Sequence, residues 1–179
     1  MEEKAKNPAI KAGLIYGAII GFVSIVISVV LDLLGLTYET WAGLISILIA
    51  IGLVVYSLRA YRNEYLDGFA KYDQLLLMTI FMAFVSAVLT TTYSAINITL
   101  IDPDALEKMF NMAYDKIANN PRITEDMLDM IVERMESKFT IGRVITQGFF
   151  GGYVMTVLIG VIAAAFIKKT QDGPAENVA

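Results

Sequence analysis

Cysteine and histidine are absent from this 179-residue chain, proline occurs 4 times and tryptophan once. Without cysteine there is no disulfide framework, thiolate nucleophile, iron–sulfur centre or thiolate zinc site. Without histidine there is no imidazole-ligated haem and no serine–histidine or metal–histidine chemistry. Charge is also scarce: 18% of the residues are Asp, Glu, Lys or Arg, against about 25% in ordinary globular domains. The net charge of −4 is not the basic patch or stripe of a protein that binds nucleic acid. Apolar residues make up the difference, at 56% of the chain with a mean hydropathy of +0.61. Such a composition points to lipid as the solvent.

Four apolar runs account for the excess, at 13–36, 41–58, 75–101 and 144–167, and Asp32 is the one charged residue within them. A membrane span needs roughly 20 apolar residues to cross a hydrocarbon core of ~30 Å, so the expected fold class is all-α integral membrane with four transmembrane helices. The first run is longer than the apolar core of a secretory signal, about 7 to 15 residues. No small-x-small cleavage site follows Leu36, so it is read as a retained helix. Short-loop Lys and Arg set the orientation. Lys4, Lys6 and Lys11 lie in or near the 1–12 N-terminus, Arg59, Arg62 and Lys71 in the 59–74 loop, and Lys168 and Lys169 open the 168–179 tail. Those eight cations share one side; the opposite 102–143 segment sets six against nine carboxylates. Both termini are therefore expected in the cytoplasm.

The 102–143 segment has its own order. Asp102-Pro103 has the pattern of an N-cap with proline at the first helical position, followed by Leu106, Met109, Phe110, Ala113 and Ile117 at helical spacing. Asn119-Asn120-Pro121 stops that helix, and Thr124-Glu125-Asp126 opens a second. The result is an amphipathic helical hairpin outside the membrane, too small for a core of its own, whose apolar stripes should pack on each other and on the mouth of the bundle. Its acidic polar faces disfavour the alternative of helices lying flat among headgroups.

Two glycine series, Gly13, Gly17, Gly21 and Gly148, Gly152, Gly160, follow a four-residue spacing, with Thr156 completing the second. Small residues so spaced let another helix approach closely, and these are read as packing surfaces that take different neighbours, one of them conceivably another subunit. At the cytoplasmic side Arg59, Arg62 and Lys71 stand among Tyr56, Tyr61, Tyr65, Phe69 and Tyr72. They read either as an anchoring belt or as contacts for lipid phosphate or a partner protein. Within the spans, Asp32 sits near the outer end and reads as interfacial, while Thr90 to Thr92 should satisfy backbone carbonyls. With no mid-depth carboxylate series, ion-driven transport is disfavoured. Met109, Met112, Met127, Met130 and Met135 offer thioethers that could take Cu(I) or Ag(I), although such stripes ordinarily fill cores.

The sequence order Lys6-Asn7-Pro8-Ala9, Lys11-Ala12-Gly13-Leu14-Ile15-Tyr16-Gly17, Tyr61-Arg62-Asn63-Glu64 and Leu100-Ile101-Asp102-Pro103 resembles domain-of-unknown-function family 4199, small four-helix inner-membrane proteins of Bacteroidota. The resemblance runs from about Lys6 to Lys169. It implies a Gram-negative inner membrane, a periplasmic hairpin and neighbourhood with polyprenyl-phosphate glycosyltransferases, and supplies no catalytic residue. The family pattern more often has a second glycine where this chain has Asp67. The expected protein is a non-catalytic accessory or scaffold subunit of the bilayer, without cofactor, forming homo- or hetero-oligomers; a small transporter or lipid flippase is the alternative.

Overall fold

The computed structural model describes residues 7–37, 39–136 and 139–170; Lys4, Lys6 and the 171–179 tail lie outside them. The described chain is helical: α1 Pro8–Leu33, α2 Thr40–Tyr65, α3 Tyr72–Ile96 continued by a π-helical turn Asn97–Ile101, α4 Ala105–Ala118, α5 Glu125–Glu136 and α6 Ile141–Ile167. A single antiparallel bridge, Ala70 to Lys169, is the extent of β pairing among the described residues. Helices α1, α2, α3 with its π turn, and α6 are long and apolar enough to cross a membrane. The 26 residues of α1 extend roughly 39 Å at 1.5 Å per residue.

The helix ends follow local chemistry. Asn7 accepts the Ala9 N–H through Oδ1 at 3.1 Å, and Pro8 occupies the first helical position, where a missing N–H costs nothing. Helix α1 closes on Gly35 at φ +68°. The Gly35 N–H meets the Asp32 carbonyl at 3.0 Å and the Leu36 N–H meets the Leu31 carbonyl at 2.8 Å, the paired bonds that satisfy a helix C-terminus. Helix α2 outlasts its apolar run by a turn and more, so Arg59 and Arg62 stand on a helix. It stops where Asp67 and Gly68 take φ +50° and +85°. Asp67 thus holds a left-handed position, which a glycine would enter without the Cβ clash an aspartate incurs.

One expected boundary needs correction. Helix α4 begins at Ala105 rather than just after Asp102. The Asp102 N–H is held by the Asn97 carbonyl at 2.8 Å and its carbonyl accepts the Ala105 N–H at 3.0 Å. Its carboxylate holds Lys108 at 2.7 Å. Asp102-Pro103-Asp104 is therefore a turn between helices, and the Asp102 side chain caps nothing. Helix α6 starts at Ile141, three residues before its apolar run, and includes Arg143.

Helix α3 is the axis of the bundle, with α1 on one side and α6 on another. The core lies towards the end that carries both described termini: Ala12, Leu58, Leu75, Met78, Met82 and Ala164 have no exposed surface. Burial thins towards the other end, where α4 has one buried residue, Ala105, and α5 has none. Phe110 of α4 meets Phe139, in the link between α5 and α6, edge to face at 5.5 Å.

Candidate functional site

Three features emerge from this frame: glycine seams, a stitched terminal end and a polar cavity at the hairpin end. In the first seam, a Cβ built on Gly13 would lie 2.8 Å from the Met78 carbonyl oxygen, one on Gly17 2.6 Å from that of Met82, and one on Gly21 3.0 Å from Leu89 Cβ. These glycines let the α1 backbone lie directly on α3, where dispersion contact substitutes for the hydrophobic drive that lipid does not supply. A Cβ on Gly160 of α6 would overlap the Thr79 side chain. Gly160 of the second series thus shares α3 with the first series. No described atom of another helix lies within 4 Å of a Cβ built on Gly148 or Gly152. Among the described residues close approach at those two is thus not met; α6 reaches α3 at that level through Phe149, edge-to-face with Phe84 at 6.3 Å.

At the terminal end, the residues that look like an anchoring cluster fasten helices to one another. Arg62 Nη1 donates to the Ile167 carbonyl at 3.0 Å, across 105 residues of sequence, and so closes the C-terminus of α6, where cations are favoured. Tyr61 is 1% exposed, a core residue rather than part of an interfacial belt. Tyr16 of α1 donates through its hydroxyl to Glu64 Oε2 at 3.1 Å. Ala70 and Lys169 exchange backbone bonds of 2.9 and 3.0 Å, and Lys169 lies 5.2 Å over the Phe69 ring. Lys71 is exposed, its N–H held by Gln74 Oε1 at 2.9 Å. Arg59 is exposed at the edge of an apolar groove of about 310 Å³ between α2 and α6, lined by Val55, Ile162 and Phe166. Arg62→Ala is expected to cost about 1–2 kcal/mol, the range for a charge-assisted bond at a partly exposed site. Hydrogen exchange of the Lys168 and Lys169 amides should accelerate with it.

The hairpin end holds polar residues that look unrelated in sequence. Asp32 Oδ1 accepts the Thr37 hydroxyl at 2.6 Å, and Oδ2 accepts Asn97 Nδ2 at 2.9 Å. The same Asn97 nitrogen is 3.3 Å from the Tyr93 hydroxyl. Asn97 opens the π-helical turn, an irregularity often found at functional positions. Around this network is a cavity of about 370 Å³ between α1 and α3, walled by Met109 and Met112 of α4. Its deepest lining residues on the two long helices are Ser24 and Thr90. Thr90 donates to the Ser86 carbonyl at 2.9 Å and Thr92 to that of Val88 at 2.8 Å, the self-satisfaction expected of them. In sequence Asp32 stands 65 residues from Asn97, and its interfacial reading named no partner. The available signal was depth, since Asp32, Asn97 and Tyr93 fall near the same end of antiparallel helices. Met127 and Met130 are exposed on α5, so the methionines do not share the cavity.

Four long apolar helices, clasped through glycines and fastened at one end, suggest a multi-pass membrane protein of small size. The chain belongs to the family described as protein of unknown function (DUF4199), whose profile matches residues 13–169. Compared with curated proteins and with solved structures, it has no match.

Proposed function

We propose that this protein is a non-catalytic accessory subunit of the Gram-negative inner membrane, with both termini cytoplasmic and the α4–α5 hairpin periplasmic. The observation that carries the reading is the open face of α6. Gly148, Gly151 and Gly152 lie along one helix with no described neighbour within 4 Å of their Cβ positions, a surface on which a helix of another protein can lie closely. The segments that mark the family support the same reading, because their roles are to start α1, close α6 and turn from α3 into α4. The orientation rests on the eight Lys and Arg that loop position in the sequence assigns to one side.

The resemblance adds a partner class, a polyprenyl-phosphate glycosyltransferase, which acts on a phosphate-headed lipid. Arg59 beside its apolar groove suits such a lipid; Arg62 is engaged by α6, so Arg59→Ala alone is the clean substitution. In mild detergent the native assembly should exceed the 19.7 kDa chain by the mass of a partner. Gly152→Leu should release that partner while the melting temperature of the free chain stays unchanged. A monomer, or an assembly indifferent to Gly152→Leu, contradicts the docking face.

A further inference from the structure

Among the described residues, the carboxylate in the cavity at the hairpin end is held by neutral groups. Asp32 is half-buried, and both of its contacts come from neutral donors, Thr37 and Asn97, one on each oxygen. A carboxylate offers about four acceptor positions, so each oxygen keeps one. Asp32 is the charged residue of the cavity. The adjoining rim adds Asp102 and Lys108, which pair with each other at 2.7 Å, so cavity and rim together hold a net charge of −1. A carboxylate at the edge of such a cavity whose hydrogen bonds among the described residues all come from neutral donors keeps acceptor capacity that a ligand cation can meet.

We infer that this cavity binds a primary ammonium group, with Asp32 as its counter-ion. The rest of the lining selects among cations. Among the described residues no cluster of three metal-binding side chains exists, and about 370 Å³ is far more room than a bare ion fills. Ile25, Ile98, Met109 and Met112 provide apolar surface for a short carbon body. Tyr93 adds an aromatic ring, whose face attracts a cation. An ammonium donates three hydrogen bonds and meets the two free acceptor positions of Asp32; a neutral isostere of the same shape meets neither that charge nor all those acceptors. The ammonium could arrive on a free amine or on an ethanolamine lipid headgroup, which lies at this depth of the bilayer.

The test uses the purified full-length protein in maltoside detergent, with n-propylammonium chloride, 1-propanol and sodium chloride as probes at equal concentration. Propylammonium at about 10 mM should raise the melting temperature by about 3 °C through preferential binding to the folded state; propanol and sodium should not. Asp32→Asn, nearly isosteric, should abolish the rise. Repeating the titration in phosphatidylglycerol nanodiscs with and without phosphatidylethanolamine separates the sources: a shift lost in the presence of phosphatidylethanolamine identifies the headgroup, and one that persists identifies a free amine. Equal responses to all three probes, no response to propylammonium, or an undiminished response in Asp32→Asn overturns the inference. Should Asp32→Asn fail to fold, the comparison of the three probes on the native protein decides.

Discussion

Gly17→Leu should lower stability in detergent by about 3 kcal/mol or more, at the upper end of overpacking costs, because the obstacle is backbone rather than a movable side chain. Even the first added carbon would sit 2.6 Å from the Met82 carbonyl oxygen and 3.0 Å from Met82 Cα. Relief requires α1 to lift away from α3 along the whole seam, since Gly13 and Gly21 flank the same contact. Ile19→Leu, two residues away on a surface that is 46% exposed, should leave the melting temperature within about 2 °C, as for surface changes in general. Equal stability of the two variants would mean that the close approach of α1 to α3 contributes nothing.

Gly160→Ala should cost about 2 kcal/mol by the same mechanism, but here the obstacle can be removed. The new methyl would overlap Thr79 Cγ2 and lie 2.7 Å from Thr79 Oγ1. The Thr79 hydroxyl bonds to the Leu75 carbonyl of its own helix at 2.9 Å and makes no link to α6. Thr79→Ala alone should therefore be mild. In the double variant the closest described atom becomes the residue 79 Cβ, 3.1 Å away. The two changes should consequently be non-additive, with about 1 kcal/mol or more of recovery, measured by a double-mutant thermal cycle. Additive losses would place the strain elsewhere than at Thr79.

The long helices were legible in the sequence because a span is declared by length and apolarity alone, and the glycine spacing announced seams because small residues four apart share one helix face. Which helix lies on a seam is a tertiary fact. Gly160 and Gly17 are 143 positions apart, and nothing local says that one meets Thr79 and the other Met82, three residues apart on the same helix. The terminal end was harder still. Arg62 has the charge and position of an interfacial anchor, and its role as a cap on α6 depends on a carbonyl 105 residues away. Tyr61 likewise resembles a belt residue until the arrival of other helices buries it. Asp102-Pro103 carries genuine start signals, yet the π turn consumes the Asp102 N–H and delays α4 by two residues. The polar cavity was least legible. A composition rule assigns one carboxylate near a span end to the interface, whereas the helices bring Asn97 to it and turn two unremarkable polar positions into one network.

The most direct test of a four-span protein with an outward hairpin uses the absence of native cysteine. Single cysteines at Asn63, exposed near the end of α2, and Asn119, exposed at the tip of the hairpin, would each be treated with a membrane-impermeant maleimide in intact spheroplasts and again after lysis. Asn119→Cys should label in intact spheroplasts and Asn63→Cys only after lysis. Labelling of Asn63→Cys from outside, or protection of Asn119→Cys until lysis, would contradict the account.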